Sequence, residues 1–122
     1  MHPDLPMEIW FNPNCSKCRN AKQAAEEAGE PVTIRAYLES PPTEAELDDV
    51  LTKLGKEPWD VARMKEPIAQ ELGLASLEKD RAKWIALMVK HPILIERPIL
   101  VREDGKAVIG RTDAALSSVL KR

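Results

Sequence analysis

Apolar residues recur along this 122-residue chain at spacings that predict an ordered series of strands and helices. A short run over residues 8–11, apolar except for Glu8, predicts a first strand. Alanines at helical spacing follow over residues 18–28, with Gly29 and Pro31 marking the end of that helix. Apolar and polar residues then alternate over residues 32–37, which predicts a second strand. A strand, a helix and a strand within so short a stretch imply a right-handed parallel unit.

The middle of the chain carries helical patterns only. Thr43 and Glu46 form a capping box before the first apolar stripe. The predicted helices cover residues 44–54, 67–72 and 77–90. We therefore expect a helical insertion, about residues 43–90, within a single domain that spans residues 1–122.

Strand patterns return near the carboxyl end. Residues 99–101 and 107–109 are predicted strands, and the turn residues 103–106 between them predict an antiparallel hairpin. Thr112 is a good N-cap for a last helix.

Composition and charge narrow the functional classes. Hydrophobic residues make up 43% and charged residues 31%, and the formal charge is −2, so we expect neither a nucleic-acid nor a membrane partner. Residues 1–6 lack the basic and apolar regions of a signal peptide, and no apolar stretch is long enough for a membrane span. The expected location is cytoplasmic.

The two cysteines, Cys15 and Cys18, follow the turn at residues 12–14 and begin the first predicted helix. N–H groups at a helix start lower a thiol pKa, and the side chains of Lys17 and Arg19 are expected to add to this effect, which makes Cys15 a predicted thiolate. Cys18, one turn further on, can reach back to close a disulfide.

Two other interpretations of the cysteine pair are open. One is a pair of unreactive buried thiols. The other is a zinc site, which would need two further ligands such as His2 and His91. His91 is interpreted as a packing or capping residue at a helix end, and no resident metal is expected.

The order of predicted elements is that of an α/β thioredoxin-like fold, with a mixed four-stranded sheet and an inserted helical segment. The sequence also resembles the ArsC family of arsenate reductases over nearly its whole length from Met7. The motifs that carry the resemblance are Asn12-Pro13-x-Cys15-Ser16-Lys17, Tyr37-Leu38-Glu39-x-Pro41-Pro42-Thr43, Glu71-Leu72-Gly73-Leu74, His91-Pro92-Ile93-Leu94-Ile95-x-Arg97-Pro98-Ile99 and Gly110-Arg111.

This resemblance implies an oxyanion site and a nucleophilic cysteine. Cys15 would attack arsenate, with Cys18 as the second catalytic thiol. The resemblance implies further residues, either as arsenate ligands or in support of the site. The arsenate ligands are Arg63, Arg97 and Arg111, and the supporting residues are Asn12, Ser16 and Pro98. The thioredoxin-like pattern also predicts a cis peptide bond before Pro98. No bound cofactor is expected.

Two positions depart from the best-known family members. Phe11 stands where a histidine precedes the Asn-Pro turn, and Cys18 stands where a second cysteine is often absent. A Cys15–Cys18 disulfide reduced by thioredoxin is therefore expected as an alternative to glutathione with glutaredoxin.

Two other functions are open on the same resemblance. One is a redox-switch regulator like the Spx proteins, which share this fold and bind RNA polymerase. The other is a thiol oxidoreductase of the same fold that does not act on arsenate. Arg111 favours the arsenate reductase, since Spx proteins usually carry another residue after that glycine.

Overall fold

A computed structural model describes residues 7–102 and 104–120, and the chain forms two compact units. Within the described residues, the first unit comprises 7–40 and 97–120, and the second comprises 41–96. Residues 1–6 lie outside the described residues, as does residue 103 of the predicted turn. That the whole chain is one domain stays a prediction.

The first unit is built on a four-stranded sheet. Its strands are β1 (Met7–Trp10), β2 (Val32–Arg35), β3 (Ile99–Arg102) and β4 (Ala107–Ile109). Their order in the sheet is β2-β1-β3-β4. β1 pairs in parallel with β2, whereas β1 with β3 and β3 with β4 pair antiparallel. The predicted mixed α/β sheet is therefore confirmed.

Two helices belong to the same unit, α1 (Ser16–Glu27) and α6 (Asp113–Val119). The predicted cap of α6 is present, because the Thr112 hydroxyl accepts a hydrogen bond from the N–H of Ala115 at 3.0 Å. Residues from the sheet and from both helices form one apolar cluster. Its members are Met7, Ile9, Ala21, Ala25, Leu100, Leu116 and Val119.

The second unit is helical. It contains α2 (Glu44–Leu54), α3 (Pro58–Val61), α4 (Pro67–Glu71) and α5 (Arg81–Lys90), with short 3-10 turns at Leu74–Ser76 and Pro92–Leu94. The Thr43–Glu46 capping box forms as predicted. The long helix predicted over 77–90 begins only at Arg81, because Asp80 is its N-cap and accepts a hydrogen bond from the N–H of Lys83 at 3.2 Å.

Within the second unit, an isolated β-bridge joins residues 61–63 to residues 94–96. Ala62 pairs antiparallel with Ile95, the N–H of Arg63 donates to the carbonyl of Leu94 at 2.7 Å, and the N–H of Glu96 donates to that of Val61 at 2.9 Å. The residues that directly precede Arg97 are therefore held by backbone hydrogen bonds.

Two features are absent from residues 7–102 and 104–120. None of their helices combines the length and the apolar character that a bilayer crossing needs. In the same ranges, no three or more His, Cys, Asp or Glu side chains are grouped as metal ligands would be. His2, one of the zinc ligands considered from the sequence, lies outside these ranges.

Candidate active site

A tight turn after β1 fixes the position of Cys15. The N–H of Asn14 donates to Asn12 Oδ1 at 2.9 Å, and the N–H of Cys15 donates to the Asn12 carbonyl at 3.0 Å. Asn12 is only 7% exposed, so the amide that shapes this turn is buried. The short polar side chain of Asn12 therefore holds Cys15 at the N-cap of α1, with Ser16 exposed at the first helical position.

Cys15 is 6% exposed and lies where the N–H groups of the first turn of α1 converge. Burial raises the pKa of its thiol, but the backbone N–H and the thiol of Cys18 lower it. The N–H of Lys17 and the charge of Arg111 lower it further, and the net pKa lies below its ordinary value. The first turn of α1 carries no acidic residue to oppose this effect. The arrangement favours a thiolate.

Cys18 behaves in the opposite way. It is fully buried, and burial raises the pKa of its thiol to about 12 although the backbone N–H of Asn12 acts against this. Its thiol also donates a hydrogen bond to Cys15, which raises the pKa of Cys18 and stabilises the Cys15 thiolate. Both cysteines are free. The pair thus combines one thiol with a lowered pKa and one with a raised pKa.

The charges around the thiols differ from the sequence-based expectation. Arg19 is not among the groups that lower the pKa of Cys15, and its guanidinium donates to the Pro13 carbonyl at 2.7 Å. Lys17 acts through its backbone N–H, and the cation whose charge lowers the pKa of both thiols is Arg111. Sequence spacing could not reveal this, since Arg111 follows the distant β4.

The start of β3 and the end of β4 hold the two arginines predicted in this unit. Arg111 Nη1 donates to the carbonyl of Arg97 at 2.9 Å, and the N–H of Gly110 donates to the carbonyl of Pro98 at the same distance. The Arg97–Pro98 peptide bond is cis, as predicted. The Nε and Nη1 atoms of Arg97 are buried. Arg97, Pro98 and Arg111 therefore form one connected group, and Arg111 links it electrostatically to the cysteines.

Gly110, directly before Arg111, lies beneath two closely packed leucine side chains. A Cβ atom at this position would lie 2.6 Å from Leu100 Cδ1 and 2.9 Å from Leu116 Cδ2. Both leucines belong to the apolar cluster, at 0% and 5% exposure. A side chain at this position would therefore force the ends of both leucine side chains to shift, and glycine lets them pack against the backbone.

Arg63 lies in the second unit, where it contacts two carboxylates. Its Nη1 forms a hydrogen-bonded ion pair with Glu66, and its Nε lies 3.7 Å from Glu96 Oε1. The guanidinium that the resemblance assigns to arsenate binding is therefore already paired with two carboxylates. Its role as a substrate ligand stays a prediction.

Phe11 takes part in apolar packing. Its half-buried side chain packs against the apolar cluster, and it lines a shallow depression with residues of α1. Its N–H donates to the carbonyl of Arg35 at 2.8 Å. A phenyl ring cannot transfer a proton, so the thiolate is stabilised by the groups described above.

Comparison with known proteins agrees with this architecture. The ArsC family profile matches residues 10–119. A Streptomyces viridochromogenes protein, named only as an uncharacterized protein in the glnII region, is 49% identical over 95% of this chain and 100% of its own length. An arsenate reductase of Neisseria meningitidis is 36% identical over 93% of this chain and 97% of its own length.

The solved structure of an arsenate reductase from Vibrio cholerae superposes with a TM-score of 0.88. It shares 34% identity, and the match covers 95% of this chain and 98% of that one. The chain belongs to the ArsC family and has its thioredoxin-like fold.

Proposed function

We propose that this protein is an arsenate reductase that uses Cys15 as its nucleophile and thiols as its electron donors. The observation that carries the proposal is the favoured thiolate of Cys15, held at the start of α1 beside the charge of Arg111. The names of the relatives from Neisseria meningitidis and Vibrio cholerae support it. Cytoplasmic location belongs to the same proposal, since thioredoxin and glutaredoxin systems supply reduced thiols there.

The anionic substrate must approach an anionic nucleophile. Arsenate is a tetrahedral oxyanion, and a thiolate repels it unless nearby groups offset both charges. The N–H groups at the start of α1 supply fixed donors, and the planar guanidinium of Arg111 supplies two donors in one plane. We also assign Arg97 to oxyanion binding, because its backbone carbonyl accepts the hydrogen bond from Arg111 and so places the two arginines side by side. Asn12 supports the site by shaping the turn.

The first chemical step forms a bond between Cys15 sulfur and arsenic. The thiolate attacks arsenic, one oxygen leaves as water after it takes up protons, and a thiol-arsenate adduct remains on Cys15. Arsenic is still pentavalent at this stage. A charged donor such as Arg111 lowers the barrier because negative charge concentrates on the arsenate oxygens as the bond forms.

The second step reduces arsenic. A second thiolate attacks the Cys15 sulfur, the sulfur–arsenic bond breaks, and its electron pair stays with arsenic, so that arsenite leaves and a disulfide forms. Cys18 is our first candidate for the second thiol because it already donates a hydrogen bond to Cys15. Thioredoxin would then reduce the disulfide. Glutathione with glutaredoxin is the other candidate, and it would give a mixed disulfide on Cys15.

The test is arsenate-dependent consumption of NADPH with either the thioredoxin or the glutathione and glutaredoxin system supplied. We expect Arg111→Ala to lower kcat/KM by about 10²–10³-fold, the usual effect of losing one such donor. Arg111→Lys should recover only part, because lysine keeps the charge and loses the planar donors. Lys22→Ala is the matched control, since it removes a cation of α1 that pairs with Glu26.

One outcome of this assay would contradict the proposal. If the parent protein consumes no NADPH upon arsenate addition with either reductant, the protein is not an arsenate reductase. A thiol oxidoreductase without arsenate activity would still reduce a small disulfide substrate under these conditions. A single turnover without added thiol identifies the second thiol, because the Cys18 route releases arsenite and leaves no free thiol on either cysteine.

A further inference from the structure

The cysteine pair has the parts needed for a second reaction that involves no oxyanion. Reduction of a peroxide requires a nucleophilic thiolate, a proton for the departing oxygen and a second thiol to complete the reaction. Cys15 supplies the favoured thiolate, and Cys18 supplies a protonated thiol that is hydrogen bonded to it.

We propose that the Cys15–Cys18 pair also reduces hydrogen peroxide, with Cys15 as the thiol attacked by the oxidant and Cys18 as the thiol that closes the disulfide. The inference rests on the placement of the pair: Cys15 is the N-cap of α1, Cys18 lies three residues on in the first turn of that helix, and both side chains are buried. It does not depend on the proposed reduction of arsenate.

In the first step the Cys15 thiolate attacks one oxygen of hydrogen peroxide. The oxygen–oxygen bond breaks, Cys15 becomes a sulfenic acid, and the other oxygen leaves as water after it takes up a proton. Sulfur is oxidised by two electrons, which go to the peroxide. The N–H groups at the start of α1 and the charge of Arg111 stabilise the negative charge that moves onto the departing oxygen.

In the second step Cys18 attacks the sulfur of the Cys15 sulfenic acid. The sulfur–oxygen bond breaks, a disulfide forms, and the oxygen leaves as a second water. The sum is two thiols and one hydrogen peroxide giving one disulfide and two waters. No other oxidant or reductant enters until the disulfide is reduced by an external thiol.

The first step also prepares Cys18 for the second. Burial is the main cause that raises the pKa of Cys18, and the hydrogen bond to Cys15 and the negative charge of Cys15 add to it. A sulfenic acid is neutral, so oxidation of Cys15 removes the repulsion due to its charge. Cys18 can then ionise more easily at the moment when its attack is required.

The burial of the two cysteines favours a small peroxide as the oxidant and Cys18 as the thiol that reacts with the sulfenic acid. Cys15 is 6% exposed and Cys18 is fully buried, so hydrogen peroxide fits better than a bulky alkyl hydroperoxide. A sulfenic acid held against a buried thiol closes faster than a second peroxide can attack. The oxidation therefore stops at the disulfide, which thiols reverse, and does not proceed to the sulfinic acid, which they do not.

The experiment treats the reduced protein with a few equivalents of hydrogen peroxide in the absence of arsenate and measures the intact mass. We expect the parent to lose two hydrogens and to regain its thiols with dithiothreitol. Cys18→Ser and Cys18→Ala should instead gain one oxygen, trapped by dimedone, and then two or three oxygens that dithiothreitol cannot remove. The Cys15→Ser protein should remain unmodified under the same conditions.

Two results would overturn the inference. One is sulfinic acid on Cys15 of the parent at the rate seen in Cys18→Ser. The other is a parent that keeps both thiols at a peroxide concentration that oxidises Cys15 fully in Cys18→Ser. Circular dichroism of the two Cys18 variants verifies their folding. A parent that forms the disulfide with peroxide but does not turn over arsenate keeps this inference and refutes the proposed function.

Discussion

Gly110→Ala tests the packing that supports Arg111. The new Cβ would lie 2.6 Å from Leu100 Cδ1 and 2.9 Å from Leu116 Cδ2, whereas carbon atoms normally pack at about 3.5–4.0 Å. Both contacts are the ends of leucine side chains and can shift, but both leucines are buried in the apolar cluster, so a shift disturbs their other contacts. Overpacking of this kind costs about 1–3 kcal/mol.

A smaller effect opposes this cost. Gly110 is not among the glycines with positive φ, so alanine fits its backbone and should gain about 0.4–1 kcal/mol by restricting the unfolded chain. Set against the midpoint of the overpacking cost, about 2 kcal/mol, a gain of about 0.7 kcal/mol leaves an expected net loss in the free energy of unfolding of about 1.3 kcal/mol, or roughly 5 °C in Tm for a chain of this size.

Urea unfolding of the parent and the variant measures this loss. Leu116→Val shortens one of the two crowded side chains, so Gly110→Ala should cost at least ~0.5 kcal/mol less in that background than alone. The reasoning is refuted if Gly110→Ala matches the stability of the parent within error. It is also refuted if the costs of Gly110→Ala and Leu116→Val simply add.

Four further predictions concern the thiols, Arg63 and the two units. Cys18→Ala and Arg111→Ala should each raise the pKa of Cys15. Cys18→Ala should raise it more, because the Cys18 thiol lowers that pKa more than the charge of Arg111 does. The rate of Cys15 alkylation by iodoacetamide, measured against pH, gives the pKa, and a larger rise in Arg111→Ala would contradict this order. In the parent, the same rates should stay high at neutral pH and fall only as pH drops below the lowered pKa of Cys15. Arg63→Ala should raise the KM for arsenate less than Arg111→Ala does, since Glu66 and Glu96 already engage Arg63; an equal rise would assign both arginines equally to the substrate. The chain should unfold in one transition by fluorescence and by circular dichroism, and separate transitions would contradict the single domain.

Local sequence signals predicted the elements of the fold well. The capping box at Thr43, the N-cap at Thr112 and the hairpin strands after residue 98 are each encoded by a few neighbouring residues, and each is present. The predicted start of α5 was four residues too early. The apolar pattern extends back to Leu77, whereas the side chain of Asp80 caps the helix and sets its first residue at Arg81.

The candidate site was less readable from the sequence because its parts come from distant segments. The position of Cys15 at a helix start follows from the turn at residues 12–14. The effect of Arg111 on the cysteines of α1, and the packing of leucines from β3 and α6 over Gly110, depend on contacts between segments far apart in the chain, which periodicity does not encode. The family resemblance supplied both residues, and the structure supplies a physical reason for each.

The most direct test of the central claim is arsenite formation by the Cys15→Ser protein, with arsenate and excess dithiothreitol supplied. Serine keeps the shape of the residue and removes the nucleophilic sulfur. The account predicts that the parent converts arsenate to arsenite and that Cys15→Ser forms none above the rate of dithiothreitol alone. Turnover by a folded Cys15→Ser protein at the rate of the parent would contradict it.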